Sequence, residues 1–164
     1  CGGGAVDADS DGDGNVSASE AEAAVAAAGV DLKPEPGKYK STMTFVDADI
    51  PGAPPEMKEI MGNAMGRTFE YCLTQEAADN GFEGSLGKGQ DGCTMTDFKI
   101  DGSNVNMSMT CDQGGGAKMN VTMDGEVSST SSELNMKMEG TIPQMGEAKM
   151  EMGMKQERIG DCDS

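Results

Sequence analysis

Apolar and polar residues alternate with a period of two through much of the second half of the chain. The alternation is clearest over residues 119–123, 134–138 and 148–154, where every second residue is apolar and usually methionine. Stretches rich in glycine, serine or proline separate these runs. Because successive side chains of a β-strand point to opposite faces, this pattern indicates half-buried antiparallel strands joined by tight turns.

The first half of the chain predicts two more strands and two short helices. Residues 38–46 and 68–73 resemble strands, whereas apolar residues at three- and four-residue spacing predict a helix over 56–65. Thr74 is a favourable N-cap for a second helix over 75–79. The sequence therefore predicts a mainly β fold: an antiparallel β-meander of about seven strands, forming a curved sheet or open barrel with two short helices. We expect the first helix to cover the concave side of the sheet.

Two prolines in Val30–Pro36 indicate an extended connector between two regions. Residues 1–35 are predicted to form a lipid-anchor tether, and residues 36–164 a β-rich domain of unknown function. The tether has eight acidic residues and one basic residue, a net charge of 1 − 8 = −7. These residues are Asp7, Asp9, Asp11, Asp13, Glu20, Glu22, Asp31 and Glu35, against Lys33. Such a charge favours an extended, solvated segment until a cation binds.

The stretch 9–20 has the spacing of a twelve-residue calcium loop. Its predicted ligands, at positions 1, 3, 5, 7, 9 and 12, are Asp9, Asp11, Asp13, the Asn15 carbonyl, Ser17 (through water) and Glu20. Gly14 falls at position 6, where the sharp turn needs glycine. The stretch resembles the EF-hand family over these twelve residues, and the resemblance implies calcium as the cofactor.

An alanine-rich helix over residues 21–28 follows the loop. Residues 1–8, which precede the loop, are too few and too rich in glycine to form a stable entry helix. We therefore expect a half EF-hand. Without a paired loop its affinity should be weak, with a Kd on the order of 10⁻⁴ to 10⁻³ M, a range that suits the cell exterior. The alternative is a flexible acidic linker whose aspartates only keep it soluble.

Charge and composition exclude several classes of function. The net charge is −17, which repels nucleic acid, so we expect no nucleic-acid partner. The chain contains no histidine, the usual general base and the commonest transition-metal ligand, and it carries no recognised catalytic motif. We therefore expect that the protein is not an enzyme.

Five cysteines occur, at positions 1, 72, 93, 111 and 162. The start Cys1-Gly2-Gly3-Gly4 resembles a mature bacterial lipoprotein, in which the first cysteine carries lipid. The glycine after this cysteine resembles the outer-membrane sorting pattern. The resemblance implies an outer-membrane lipoprotein that faces the periplasm of a bacterial cell envelope, attached to the membrane through Cys1. The four other cysteines could then form two disulfides in that oxidising compartment.

The register of one predicted hairpin suggests how these cysteines pair. The turn at residues 101–104 sets a register that leaves Cys93 on the wrong face to meet Cys111. Apolar residues, however, switch from odd to even numbers within the strand 93–100. One extra residue, a bulge near Thr96 or Asp97, explains the switch and brings the two cysteines face to face. We predict the disulfide Cys93–Cys111 and, by elimination, Cys72–Cys162.

The order of the cysteines and their neighbours also resembles an uncharacterised family of exported bacterial proteins, known as a domain of unknown function. The segments that carry the resemblance are Cys72–Ala78, Cys93 with Asp97–Ile100, Ser108–Cys111 and Arg158–Cys162. It covers roughly residues 36–162 and implies a β-rich envelope domain without a known activity.

Fifteen methionines, against four phenylalanines, leave two functions open for the β-rich domain. Methionine fills irregular cores and adaptable apolar surfaces, so the domain could be a non-catalytic binding module for an apolar small molecule or an envelope protein. Alternatively, pairs of thioethers two residues apart on a strand, such as Met136 and Met138, could bind Cu(I) in a periplasmic copper-handling protein.

Overall fold

The computed structural model describes residues 6–29, 32–80, 92–112, 114–144 and 146–163. Its elements, in chain order, are β1 (Val6–Asp7), α1 (Ala18–Ala28), β2 (Gly37–Asp49), α2 (Glu56–Met65), β3 (Arg67–Leu73), α3 (Gln75–Asp79), β4 (Cys93–Asp101), β5 (Asn104–Asp112), β6 (Lys118–Val127), β7 (Ser131–Ile142) and β8 (Gly146–Gly160).

All strands belong to one antiparallel sheet, in the order β1-β4-β5-β6-β7-β8-β2-β3. Seven are long strands, and the two-residue β1 adds a short edge beside β4. The predicted mainly β, open and antiparallel architecture is confirmed. The order adds one detail: β8 returns to pair with β2, so β3 and β4, which are neighbours along the chain, lie far apart in the sheet.

The hairpin of β4 and β5 has the predicted irregular register. Ile100 lies opposite Val105, and a register shift occurs between Met95 and Asp97. Beyond this bulge Cys93 lies opposite Cys111, with their Cα atoms 3.9 Å apart, and the two form a disulfide. The predicted bulge and the disulfide that follows from it are both confirmed.

The second disulfide joins Cys72 of β3 to Cys162, whose Cα atoms lie 5.5 Å apart. Strand pairing explains the proximity, because Lys38 of β2 lies opposite both Cys72 and Gly160. Since β2 pairs with β3 on one side and β8 on the other, the C-terminal residues meet the edge strand. The predicted pairing Cys72–Cys162 is confirmed.

One face of the sheet is apolar and the other is polar. A row of cross-strand partners on the apolar face consists of Phe98, Met107, Met123, Met136, Met152 and Phe45, from β4 through β8 to β2. We call its four methionines the methionine row. On the opposite face, a row across the four strands from β4 to β7 contains Lys99, Asn106, Asp124 and Asn135. The sheet therefore has one side that must be covered.

The N-terminal segment covers the β4–β6 part of the apolar face. Its buried residues Ala8, Val16, Ala21, Ala24 and Leu32 belong to one cluster with apolar residues of these strands. The charge of this segment favours an extended, solvated conformation, but its small alanines, three residues apart, let α1 approach the sheet closely. Whether residues 1–35 and 36–164 are separate domains stays a prediction.

Helix α2 covers less of the sheet than the sequence suggests. None of its residues is buried, and Ile60 is 65% exposed. Its main neighbour is β2: a Cβ atom at Gly62 would lie 3.4 Å from Cδ1 of Phe45, and Lys58 forms an ion pair with Asp47. The expectation that this helix covers the concave side is wrong for most of the apolar face, because the N-terminal segment occupies the β4–β6 part.

No helix in the described parts of the chain is long and apolar enough to cross a membrane.

Candidate metal centre

The loop 9–20 is fixed to strand β4 at two points. The backbone N–H of Ala8 donates to the carbonyl of Phe98 at 3.1 Å, and that of Val16 donates to the carbonyl of Met95 at 2.8 Å. The Val16 side chain, at position 8 of the loop, is only 5% exposed. The loop is therefore attached to the sheet through backbone hydrogen bonds and is not part of a solvated tether.

Three aspartates converge within the loop. Carboxylate oxygens of Asp9, Asp11 and Asp13 all lie within 4.8 Å of one another. Two glycines shape the turn between them, since Gly12 and Gly14 have φ values of 75° and 83°, in the left-handed region that favours glycine. Three like charges this close repel one another, so a divalent cation between them would relieve the repulsion.

Backbone N–H groups of the loop partly hold these carboxylates. The two carboxylate oxygens of Asp9 accept from Gly12 at 2.8 Å and from Gly14 at 3.1 Å. One oxygen of Asp11 accepts from the Asp13 N–H at 3.1 Å, and one oxygen of Asp13 accepts from the Asn15 N–H at 2.8 Å. Each bond fixes the orientation of a carboxylate within the loop.

Glu20, the predicted bidentate ligand, has a second role in this geometry. It occupies the N3 position of α1 and completes a capping box with the N-cap Ser17. Its Oε2 accepts from the N–H of Ser17 at 2.9 Å and its Oε1 from the hydroxyl of Ser10 at 3.0 Å. These bonds, led by the one from the Ser17 N–H, lower the pKa of Glu20 to about 2.

The residues present fit a calcium site with one adjustment. Glu20 is not a member of the converging carboxylate group, so its side chain would have to turn from the capping box to bind the same ion. Asn15 and Ser17 lie exposed on the same loop, as the spacing predicts. Oxygen donors from carboxylate, carbonyl and hydroxyl groups are those that Ca²⁺ prefers. Cys1, the predicted lipidation residue, lies outside the described residues.

Sequence reasoning missed the docking of the loop on β4. The available signal was the spacing of Val16, Ala21, Ala24 and Ala28, which places one apolar stripe on a segment that is otherwise acidic. Alanine has high helix propensity in any environment, so this stripe does not by itself distinguish a buried helix from a solvated one.

A comparison with protein families assigns most of the chain. Residues 34–162 match a family described as a protein of unknown function, DUF3617. The chain belongs to this family. Comparison with curated proteins and with solved structures returns no match.

The part shared with the DUF3617 family comprises β2 to β8 and all four disulfide-forming cysteines. Loop 9–20 resembles a calcium-binding loop, and we call it the calcium-like loop. This loop and α1 precede the matched residues. The N-terminal segment, which precedes the matched residues, therefore supplies part of the cover over the sheet that matches the family.

Proposed function

We propose that the protein binds calcium through the loop 9–20 and is a non-catalytic protein of the bacterial cell envelope. The observation that carries the calcium proposal is the convergence of the Asp9, Asp11 and Asp13 carboxylates within 4.8 Å, in a loop whose every ligand position matches the calcium pattern. Attachment of the loop to β4 restricts its backbone, which reduces the entropy that binding would cost.

Calorimetric titration of calcium into the intact protein tests the proposal. We expect one site with a Kd on the order of 10⁻⁴ to 10⁻³ M in about 0.15 M salt, where the wider acidic surface is screened. Asp11→Asn should weaken binding at least tenfold, because the amide retains the oxygen that accepts from Asp13 but loses the charge. Glu20→Gln should also weaken binding, since glutamine can retain the capping box but not bidentate chelation.

The matched control is Asp101→Asn, the same change at the exposed aspartate that ends β4. It should leave the calcium isotherm unchanged. Equal heats for Asp11→Asn, Asp101→Asn and the unmodified protein would show that calcium only associates with the acidic surface, and the proposal would be wrong.

The cysteines support the proposed location in the cell envelope. Two disulfides account for four of the five cysteines, and such bonds persist in oxidising compartments such as the periplasm. Lipid attachment at Cys1, and with it the outer-membrane anchor, stays a prediction. Mass spectrometry of the protein from its native envelope would contradict it if Cys1 carried no lipid.

The apolar face supports a binding role for the β-rich domain. Met123, Met136 and Met138 are only half-buried, so apolar surface remains accessible between α1 and α2. Adaptable methionine surfaces suit an apolar small molecule or a protein partner. The absence of histidine from the sequence and the net charge of −17 support neither an enzyme nor a nucleic-acid-binding protein.

A second candidate function is Cu(I) binding by the methionine row. It is favoured by the register, which places Met107, Met123, Met136 and Met152 directly opposite one another on successive strands. Titration with Cu(I) under reducing conditions, followed on the methionine methyl signals, tests it. Shifts confined to these four residues would support copper, and unchanged spectra would leave the row as core packing.

A further inference from the structure

A cavity of about 350 Å³ lies beneath α1, at the end of the sheet away from the calcium-like loop. Its wall comes from α1, the connector that leads into β2, the end of α3 and the sheet strands β2, β6, β7 and β8. Seven elements from different parts of the chain therefore border one space. This volume falls at the lower end of the range for small-molecule sites, about 300–1,000 Å³.

Most of the cavity wall is apolar. Val25 of α1, Leu32 and Pro34 of the connector, Tyr39 of β2 and Val127 of β6 contribute to it. Tyr39 is held rigidly, since its hydroxyl donates to the carbonyl of Glu35 at 2.8 Å, lies 3.1 Å from that of Ser129, and its ring stacks on Tyr71 at 5.8 Å. A preformed aromatic wall of this kind favours a flat apolar group.

The charged groups at the cavity are already paired or have the wrong sign for an anion. Lys33 and Asp79 form an ion pair of 2.6 Å, and this pair lowers the pKa of the Asp79 carboxyl. Within the described part of the wall, Glu22 is the third charged residue. An anionic ligand would face this acid, and burying its charge without a counterion would be costly. The charges therefore favour an uncharged ligand.

One side of the cavity retains hydrogen-bonding capacity. Gln156 of β8 lines the cavity, and among the described residues its amide nitrogen donates only to the weak acceptor Met154 Sδ, at 3.7 Å. Its amide oxygen accepts from Ser132 at 3.5 Å, the upper limit for such a bond.

A buried hydroxyl lies beside this amide. Ser41, the cross-strand partner of Gln156, is fully buried, and its hydroxyl has no hydrogen-bond partner among the described residues. Ser41 is not among the residues that line the cavity, so a ligand would meet the Gln156 amide, whose weak bonds leave it able to bond to a polar group supplied from outside the chain.

We propose that this cavity binds a small, uncharged molecule with a flat apolar body and one hydrogen-bonding group. The apolar body would contact Tyr39, Val25 and Val127, and the polar group would bond to the amide of Gln156. This inference rests on the proposed binding role of the β-rich domain and gives that role a site and a class of ligand.

Fluorescence titration with N-phenyl-1-naphthylamine, a neutral aromatic amine, tests the proposal on the full-length protein. The probe, excited directly, should bind at one site, and the anionic probe 1-anilinonaphthalene-8-sulfonate should bind at least tenfold more weakly. Val25→Trp should fill the cavity and weaken binding of the neutral probe at least tenfold. The matched control Ala26→Trp, on the exposed side of α1, should leave it unchanged.

A second measurement does not depend on any variant. Nuclear Overhauser contacts from the bound probe should reach the methyl groups of Val25 and Val127. Contacts with the methyl groups of the methionine row alone would overturn the cavity proposal and leave the broader binding role standing. No binding of the neutral probe anywhere would count against both. Calcium calorimetry on the same samples tests the metal site separately.

Discussion

Substitution of Ala24 by aspartate would test whether α1 is part of the folded core. Ala24 is 4% exposed and lies in the same cluster as Phe98 and Ile100, which are 0% and 1% exposed. A carboxylate there cannot keep its hydration while the helix stays docked. The matched substitution is Ala23→Asp, because Ala23 is the neighbouring residue on the same helix and is exposed.

The two substitutions should differ by several kcal/mol. In both variants, replacing alanine by aspartate lowers the intrinsic helix propensity of α1 by the same amount, roughly 0.6 kcal/mol. At position 24 the helix must either bury the charge or leave the sheet. If α1 leaves the sheet, the apolar surface that it covers is again exposed to water. The full burial of one large apolar side chain stabilises the fold by about 1.5–3 kcal/mol. Since parts of at least two such side chains are uncovered, we expect Ala24→Asp to lower the free energy of unfolding by about 3–4 kcal/mol.

Urea denaturation with intact disulfides would measure this difference, and hydrogen exchange would locate it. Ala24→Asp should also accelerate exchange of the β4 amides near Phe98, whereas Ala23→Asp should not. Equal stability of the two variants would show that α1 is a solvated tether, as its charge alone suggests. The reasoning about the cover on the sheet would then be refuted.

Three further predictions concern calcium, the disulfides and pH. With 10 mM calcium, a Kd of about 10⁻⁴ to 10⁻³ M corresponds to about 1.4–2.7 kcal/mol of stabilisation. The melting temperature should therefore rise by roughly 3–10 °C, and magnesium should have a smaller effect; an unchanged melting temperature would contradict the coupling of the loop to the sheet. In the chain-entropy model, replacing Cys93 and Cys111, which are 18 residues apart, by alanine should lower the free energy of unfolding by about 3 kcal/mol. Replacing Cys72 and Cys162, which are 90 residues apart, should lower it by about 4.6 kcal/mol. Urea denaturation that gave the reverse order would contradict this expectation. The ion pair with Lys58 lowers the pKa of Asp47, so its contribution to folding stability is present above the ordinary pKa of 3.8 and is lost as the pH falls through the lowered value. In the variant Lys58→Met, NMR titration should show the pKa of Asp47 returning toward 3.8. An unchanged pKa would mean that Lys58 does not hold α2 at this position.

The strand register shows how far local sequence patterns reach. Period-two alternation identified the strands because a half-buried strand needs one apolar face. The switch of parity within 93–100 located the bulge, and the bulge then paired Cys93 with Cys111. Each step depends on residues close in sequence, where the geometry of a hairpin leaves few alternatives.

Other features depend on contacts between distant segments. Nothing local indicates that β8 pairs with β2, because the two strands lie at opposite ends of the sequence that forms the sheet. The sequence places Glu20 both at the last ligand position of the calcium-like loop and, with Ser17, at the spacing of a capping box, and this spacing alone does not decide between the two roles. The strand that pairs with β8 and the groups that bond to Glu20 both depend on which of several compatible partners lies nearest after folding.

The sequence by itself determined the strands, the bulged hairpin, both disulfide pairs and the spacing of three aspartates in one tight loop. Alternation, turn chemistry and ligand spacing, which act over a few residues, account for all of these except the pair Cys72–Cys162, which follows by elimination once Cys93 is paired with Cys111 and Cys1 is assigned to lipid. Only the tertiary structure decided that the acidic N-terminal segment covers the apolar face and that a cavity lies beneath it. Alanines in a charged helix suit water and a close-packed sheet equally well, and the choice between them depends on the apolar surface that β4, β5 and β6 present together.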